Sequence, residues 1–217
     1  MKFEKLFENI INESSIALLD EFKNLGRNFS DRHNFRYKLC SKYSFAIPDE
    51  GALNIIAKYG PILELGAGTG YWASLLKDRG VDIIATNPPG FTLKNKQHYN
   101  FNENYINTEL IDNDSALEKY PDRNLFLCWP SYDEDWAYKA LLNFKGDYLI
   151  YIGEDQGGCT ADDDFFKELH SNWIGIRYYD IPQWPGIHDG LRILKRNKEI
   201  GDRQNYLNRP LRYMFET

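Results

Sequence analysis

The sequence is poor in cysteine and contains no long apolar segment. Its three cysteines (Cys40, Cys128 and Cys159) are odd in number and far apart, which excludes a disulfide framework and a paired Cys-x-x-Cys metal knuckle. The four histidines lack zinc-type spacing with each other or with cysteine, so no metal site is predicted. No run approaches the roughly 20 apolar residues that span a bilayer. We therefore expect a protein of the reducing cytoplasm without a membrane segment.

Other classes are excluded by the N-terminus and by the composition. Residues 1–8 carry two glutamates and no uninterrupted apolar stretch, unlike a secretory signal peptide. With 42% hydrophobic and 27% charged residues, the chain is neither disordered nor collagen-like. Its 217 residues suit one domain with an extension.

Charge is distributed unevenly along the chain. The net charge of −6 argues against general affinity for nucleic-acid phosphates. Between residues 192 and 212, however, seven basic residues stand against two acidic ones. This basic C-terminal stripe could contact an anionic partner, or it could be a solvated strand edge followed by a tail. The basic residues are Arg192, Lys195, Arg196, Lys198, Arg203, Arg209 and Arg212.

From Pro61 onward, short apolar runs alternate with helical patterns. The runs predict strands at 62–65, 81–85, 109–111, 124–129, 147–152, 173–179 and 191–194. Helices are predicted at 49–59, 71–79, 114–120 (with Asp114 or Ser115 as N-cap), 133–144 and 162–170. This alternation predicts an α/β fold, mainly a parallel sheet with helices on both faces. The last two strands have no helix between them, so we expect them to pair antiparallel.

Three regions are predicted along the chain. Residues 1–59 form a helical N-terminal extension, residues 60–197 the α/β domain, and residues 198–217 a basic C-terminal tail. Apolar residues on one helical face begin the extension, namely Phe3, Leu6, Phe7, Ile10 and Ile11.

A glycine-rich loop follows the first predicted strand and opens a helix. It reads Glu64-Leu65-Gly66-Ala67-Gly68-Thr69-Gly70-Tyr71-Trp72. A dinucleotide fingerprint would need glycine or alanine where Tyr71 stands, so NAD binding is disfavoured. No Gly-Lys-Ser/Thr follows, which excludes a P-loop. The alternative is a glycine-rich turn that binds no ligand.

With an acidic residue two positions before Gly-x-Gly-x-Gly, this stretch resembles motif I of the class I S-adenosylmethionine-dependent methyltransferases. The resemblance extends from about residue 61 to 196 and implies a Rossmann-like methyltransferase fold. It also implies that the loop wraps the methionine portion and ribose of S-adenosylmethionine, whose ammonium Glu64 can attract. Asn87 stands where this family usually has an acid for the ribose hydroxyls. Asp114 corresponds to the acid that meets the adenine amino group, although it could be only a helix cap. The cofactor-binding residues implied are Glu64, Gly66, Ala67, Gly68, Gly70, Tyr71, Asn87, Asp114 and Trp129.

After the fourth strand, Cys128-Trp129-Pro130-Ser131-Tyr132 is similar to the Asn-Pro-Pro-Tyr motif of amino-group methyltransferases. Trp129 replaces the asparagine, and the Asn-Pro-Pro at residues 87–89 follows the wrong strand. DNA adenine methylation is therefore not predicted. The sequence also resembles a group of uncharacterised methyltransferase-like proteins over most of its length, through Gly-Ala-Gly-Thr-Gly-Tyr-Trp, Cys-Trp-Pro, Gly-Gly-Cys-Thr and Ile-Pro-Gln-Trp-Pro-Gly-Ile-His-Asp.

Catalytic candidates come from loops after the later strands. Glu154 is a possible base or a solvated loop acid, and Cys159 is a nucleophile only if His170 or His188 lies beside it. In the turn at 182–189, Trp184 either stacks on a substrate or fills the core, while His188 could accept a proton. The predicted catalytic residues are Tyr132, Glu154 and His188.

Two functions follow from the resemblance. The first is methyl transfer from S-adenosylmethionine to an unidentified small-molecule or macromolecular acceptor, and the alternative is a non-catalytic binding or adaptor protein with the same fold. Residues 27–48 interleave aromatic and basic side chains, which suits either a lid over a planar or anionic substrate or simple packing on the sheet. With the lid, deletion of residues 1–42 is expected to leave a soluble domain.

Overall fold

The computed structural model describes residues 29–92 and 103–197, and the strands in these ranges form one seven-stranded sheet. The strands are β1 (Ile62–Leu65), β2 (Ile83–Asn87), β3 (Glu109–Leu110), β4 (Asn124–Cys128), β5 (Tyr148–Gly153), β6 (Trp173–Tyr179) and β7 (Gly190–Arg196). Their order is β3-β2-β1-β4-β5-β7-β6. β7 runs antiparallel to β5 and β6, and the other neighbours pair parallel. The predicted mainly parallel sheet with an antiparallel last strand is confirmed.

Six α-helices surround the sheet in the described part of the chain. They are α1 (Phe29–Lys42), α2 (Glu50–Ile56), α3 (Tyr71–Asp78), α4 (Asn113–Lys119), α5 (Trp136–Asn143) and α6 (Asp163–Asn172). A short 3₁₀ turn, Ala57–Tyr59, follows α2. None of these helices is long and apolar enough to cross a membrane.

Aspartate side chains determine where three of the helices begin. Asp49, Asp112 and Asp162 each accept a hydrogen bond from the backbone N–H three residues later, at 2.7, 2.9 and 2.9 Å. The predicted N-cap of α4 at Asp114 or Ser115 is therefore wrong, because the Asp112 carboxylate already caps the Ser115 N–H.

Helix α5 begins three residues later than the sequence pattern predicts. The backbone at Asp133 has a φ of 57°, in the left-handed region, which is incompatible with the first turn of a right-handed helix. The Asp133 N–H instead donates to the carbonyl of Ala161 at 2.9 Å. This contact joins the loop after β4 to the loop after β5.

Alternating side chains of the strands build two cores, one on each face of the sheet. Ile62, Phe126 and Ile150 pack with α1, α2 and α3. Their neighbours Leu63, Leu125 and Leu149 point to the opposite face and pack with α4, α5 and α6. Both faces are covered, as the near-continuous apolar strands require.

The described part of the N-terminal extension belongs to the first of these cores. Phe35 and Leu39 of α1 are 8% and 5% exposed, and Leu53 and Ile56 of α2 are fully buried. Residues 29–59 therefore contribute to folding of the sheet. The predictions for residues 1–28 and for the tail at 198–217 lie outside the described residues.

Candidate functional site

A cavity of about 910 Å³ opens at the carboxyl ends of β1, β2 and β4. Strand order reverses around β1, because the chain continues to β2 on one side and to β4 on the other. In open α/β sheets, ligands bind at such a switch point. The cavity is lined by Arg36, Tyr43, Ser44, Phe45, Glu64, Gly66, Ala67, Gly68, Thr69, Tyr71, Trp72, Asn87, Pro88, Phe91, Asn113, Cys128, Trp129, Pro130, Ser131, Tyr132, Glu134, Trp136 and Cys159.

The glycine-rich loop forms the floor of this cavity. Gly66, Gly68 and Gly70 have φ angles of 67°, 57° and 71°, a conformation that residues with a Cβ rarely adopt. The Ala67 N–H donates to the carbonyl of Thr86 at 2.9 Å, which ties the loop to β2. Gly70 ends the turn at the start of α3 and is not among the lining residues. The spacing of the three glycines thus matches a backbone that needs all three.

Asn87 ends β2 and fastens the same loop. Its Oδ1 accepts from the Gly68 N–H at 2.9 Å, and its Nδ2 donates to the Gly68 carbonyl at 3.0 Å and to Thr108 Oγ1 at 3.2 Å. The residue is buried. The sequence predicts a ribose-binding residue here, but the amide already has partners within the protein. Asn87 therefore holds the loop in place, and its contact with a ribose stays a prediction.

Glu64 places a carboxyl group in the cavity wall beneath the loop. The residue is 2% exposed, and its Oε2 has no hydrogen-bond partner among the described residues. Burial raises the pKa of Glu64 to about 8, because desolvation disfavours the carboxylate. In the ligand-free protein this carboxyl is therefore mostly protonated at neutral pH. A bound cation would lower its pKa and restore the carboxylate.

Trp129 follows β4 and lines the cavity with an unusual backbone conformation. Its φ of 52° is unusual for a residue other than glycine. Its backbone N–H donates to the Ile152 carbonyl at 2.7 Å, and its indole N–H donates to Asp189 Oδ2 at 2.9 Å. Phe45 stacks on the indole with a centroid separation of 5.4 Å. Burial raises the pKa of Asp189 to about 6.

An aromatic cluster covers the start of α3. Tyr105 stacks on Tyr43 at 5.7 Å and lies 4.8 Å from Tyr71, centroid to centroid. Thr69 donates its hydroxyl to the Tyr43 carbonyl and accepts the Tyr105 N–H at its own carbonyl, at 2.9 Å in the second case. Sequence analysis missed Tyr105, because no motif surrounds it. Residues from before β1 and after β2 thus converge on the glycine loop.

Only one of the three predicted catalytic residues lines the cavity. Tyr132 does so, with 65% of its surface exposed. Glu154 is buried nearby, where its Oε1 accepts the His188 N–H at 2.7 Å and its Oε2 accepts the Cys159 N–H at 2.8 Å. The His188 side chain is exposed, with Nδ1 3.8 Å from Glu154 Oε1. The catalytic roles of these three residues remain predictions.

The Glu154 carboxylate holds two loops together through the hydrogen bonds that it accepts. Burial alone would raise its pKa, but hydrogen bonds from the Cys159 thiol and from the His188 and Cys159 N–H groups outweigh this effect, so the pKa is lowered. Burial and the hydrogen bond to Glu154 raise the pKa of the Cys159 thiol to about 11. Cys159 is therefore protonated at neutral pH and unsuited to nucleophilic attack.

Two side chains that the sequence analysis considered for the site, Asp114 and Trp184, lie outside the cavity. The Asp114 carboxylate accepts from Asn143 Nδ2 at 2.8 Å on the protein surface, whereas its neighbour Asn113 lines the cavity. The sequence motif thus lies one residue away from the side chain that reaches the site. Trp184 is buried and donates its indole N–H to the Phe45 carbonyl at 3.2 Å, which places it in the core.

Two arginines of the basic C-terminal stripe serve the fold. Arg192 is buried, pairs with Asp155 at 2.7 Å and donates to the Gly153 carbonyl at 2.9 Å. Arg196 donates to the Phe144 carbonyl at 2.6 Å, with its guanidinium 4.4 Å from the Trp173 ring centroid. Both guanidinium groups are bonded within the protein, and most of the stripe lies outside the described residues, so contact with an anionic partner stays a prediction.

Comparisons with known proteins add structural neighbours of low identity. No protein-family model matches the sequence, and no curated protein matches it significantly. TrmK of M. capricolum, solved with S-adenosyl-homocysteine, is 16% identical over 67% of this chain and 68% of that chain, with a TM-score of 0.41. The mitomycin 7-O-methyltransferase MmcR is 12% identical over 87% and 62%, with a TM-score of 0.42. A SAM-dependent methyltransferase from Archaeoglobus fulgidus is 14% identical over 90% and 100%, with a TM-score of 0.36.

These similarities are too low to carry an argument about activity or substrate. The fold is assigned instead from this chain's own strand order and strand directions, and from the glycine loop that joins β1 to α3. The chain has the Rossmann-like fold of the class I S-adenosylmethionine-dependent methyltransferases.

Proposed function

We propose that this protein binds S-adenosylmethionine in the cavity and transfers its methyl group to an acceptor. The observation that carries the proposal is the carboxyl group of Glu64, which is buried in the cavity wall with an unpartnered Oε2. A buried polar atom without a partner is costly unless a ligand supplies one. The ammonium group of S-adenosylmethionine would supply the missing partner of the Glu64 carboxylate.

The cavity suits the rest of the cofactor. Its volume of about 910 Å³ lies near the upper end of the range typical of small-molecule sites, roughly 300–1,000 Å³. Asn113 offers an amide for hydrogen bonds to a nucleobase, and Pro88 and Phe91 supply apolar wall. Because Asn87 is held by Gly68, we assign it to shaping the loop around the ribose.

The protein's contribution to the reaction is alignment and exclusion of water. When bound, the cofactor supplies an electrophilic sulfonium methyl group. The side chains around Trp129 would hold the acceptor in line with that methyl group, which is enough for a nucleophile that needs no deprotonation. Tyr132 would contact the acceptor at the cavity mouth. Glu154 and His188 would position the adjoining loop, and a proton acceptor is needed only if the acceptor must lose a proton.

Calorimetric titration with S-adenosylmethionine tests the cofactor assignment. We expect the wild type to bind and Glu64→Gln to bind about tenfold to a hundredfold more weakly, because a charge-assisted contact is lost. Glu118→Gln removes the same charge from an exposed position on α4 and should bind as the wild type does. Gly68→Arg should abolish binding, since its side chain would enter the cavity. Absence of binding by the wild type would overturn the proposal.

A second function, a non-catalytic binding protein with the same fold, is favoured by the engagement of Asn87 with Gly68 and Thr108. Incubation with methyl-labelled S-adenosylmethionine and a cell extract separates the two. A reproducible labelled product that requires the wild-type protein supports methyl transfer. Binding of the cofactor without any labelled product supports the non-catalytic function.

A further inference from the structure

The segment around α1 brings one cation into the cavity. Of the basic residues interleaved with aromatics in this segment, Lys38 is exposed and Lys42 lies over the Tyr43 ring at 4.9 Å. Arg36 is the one whose side chain lines the cavity among the described residues. It lies beside Trp129, at the end of the cavity that this residue lines.

The Arg36 guanidinium has no anionic partner in the described part of the chain. Its carbon lies 5.6 Å from the Trp129 ring centroid, and its Nε is buried without a hydrogen-bond partner. No carboxylate of the described ranges lies within 4.0 Å of it, unlike Arg192, which pairs with Asp155. Asp189 is close enough for its charge to be influenced by Arg36, but it hydrogen-bonds to the Trp129 indole instead.

The other charges of the cavity wall do not neutralise Arg36. Glu64 is mostly protonated at neutral pH in the ligand-free protein, because burial raises its pKa to about 8. Glu134, the remaining acid among the lining residues, is exposed to solvent. A guanidinium forms paired hydrogen bonds with carboxylate and phosphate groups. The Arg36 end of the cavity is therefore suited to an anionic group on a ligand.

We propose that the methyl acceptor is a small molecule that carries a carboxylate or phosphate, and that Arg36 binds this group. The proposal rests on the proposed function, since it assigns the anion to the acceptor. A small acceptor fits because it shares a cavity of about 910 Å³ with the cofactor. Arg36 is then a specificity-determining residue, which holds the end of the acceptor that does not react.

Titration with phenyl phosphate, benzoate and neutral benzamide tests the anion site directly. We expect one of the two anions to bind the wild type more tightly than benzamide, and the tighter of them identifies the preferred group. Arg36→Gln should weaken binding of that anion about tenfold to a hundredfold and leave binding of benzamide unchanged. The affinity of Arg36→Lys for the anion should lie between those of the wild type and Arg36→Gln. Arg177→Gln, an exposed arginine of β6, should match the wild type. Equal binding of anions and benzamide, or no effect of Arg36→Gln, would overturn the site.

The assignment of the anion to the acceptor has its own readout. The labelled product from the small-molecule fraction of an extract should bind an anion exchanger at neutral pH and should diminish with Arg36→Gln. Release of a neutral labelled compound by phosphatase would identify a phosphate monoester, and loss of binding to the exchanger after carbodiimide coupling to a neutral amine would identify a carboxylate. A product that does not bind the exchanger contradicts the assignment. Cofactor titration distinguishes the possible failures. Binding of S-adenosylmethionine to Arg36→Gln as tightly as to the wild type supports the assignment of the anion to the acceptor. Weaker binding to the variant would assign Arg36 to the cofactor's own carboxylate and overturn it, and no binding to the wild type would overturn the proposed function.

Discussion

Replacement of Glu64 by glutamine should make the protein more stable at neutral pH in the absence of ligand. The folded-state pKa of Glu64 is raised from 4.5 to about 8 by burial. Between these two pH values the native state binds more protons than the unfolded state, so the free energy of unfolding falls as pH rises. The native state is favoured most below the unfolded pKa, and that advantage is lost as pH rises toward the folded pKa. Glutamine does not titrate and removes this dependence.

The size of the effect follows from the pKa shift. A shift of one pKa unit corresponds to about 1.4 kcal/mol, so the difference in unfolding free energy between Glu64→Gln and the wild type should grow by roughly 2–3 kcal/mol from about pH 5 to about pH 7. Urea denaturation at a series of pH values measures it. The difference between the two proteins cancels the titration of other groups, such as Asp189, provided that they respond equally in both.

Glu118→Gln provides the matched control, since this exposed side chain should leave the pH dependence unchanged. If the urea midpoints of Glu64→Gln and the wild type change in parallel with pH, the Glu64 carboxyl is not desolvated. The assignment of Glu64 as a buried, unpaired carboxyl that binds the cofactor's ammonium would then be refuted.

Three further outcomes are expected. At about pH 7, binding of S-adenosylmethionine to the wild type should release close to one proton from Glu64, so the apparent heat should differ between phosphate and Tris buffers; the same heat in both would contradict the contact with the ammonium. Asn87→Asp removes the donor to the Gly68 carbonyl and should destabilise the protein by about 1–3 kcal/mol in urea denaturation, whereas unchanged stability together with tighter cofactor binding would show that the amide is dispensable. Deletion of residues 1–42 removes Leu39 from the first core, a loss of roughly 2–5 kcal/mol for a side chain of this size, so we expect aggregation rather than the soluble domain predicted from the sequence; a truncated protein with native circular dichroism would support the lid interpretation.

The sequence predicted the boundaries of strands and helices correctly where neighbouring residues along the chain set them. β1 ends at Leu65, just before the left-handed Gly66, and α6 begins after its capping residue Asp162. Both signals act within a few residues along the chain. The pattern was less successful for α5, whose start depends on Asp133 being bound to the loop after β5. That contact spans 28 residues of sequence, beyond the reach of periodicity.

The candidate site was predictable in its location and only partly in its residues. The glycine spacing after a strand indicated the floor of the cavity. Glu64 and Trp129, which are predicted to bind the cofactor, also line this cavity. Asn113 was missed because the motif pointed to Asp114, one residue on, whose carboxylate is bound by Asn143.

The sequence by itself determined the alternation of strands and helices, the glycine turn and the acid that precedes it, because each depends on local backbone preference and on which side chains can be buried. Tertiary structure alone decided which polar groups remain without partners. Glu154 and Asn87 are engaged by backbone groups from distant loops, whereas Glu64 and Arg36 face the cavity unpaired among the described residues. Hydrogen bonding depends on separations of about 3 Å between groups far apart in the chain, and only the folded sheet sets those separations.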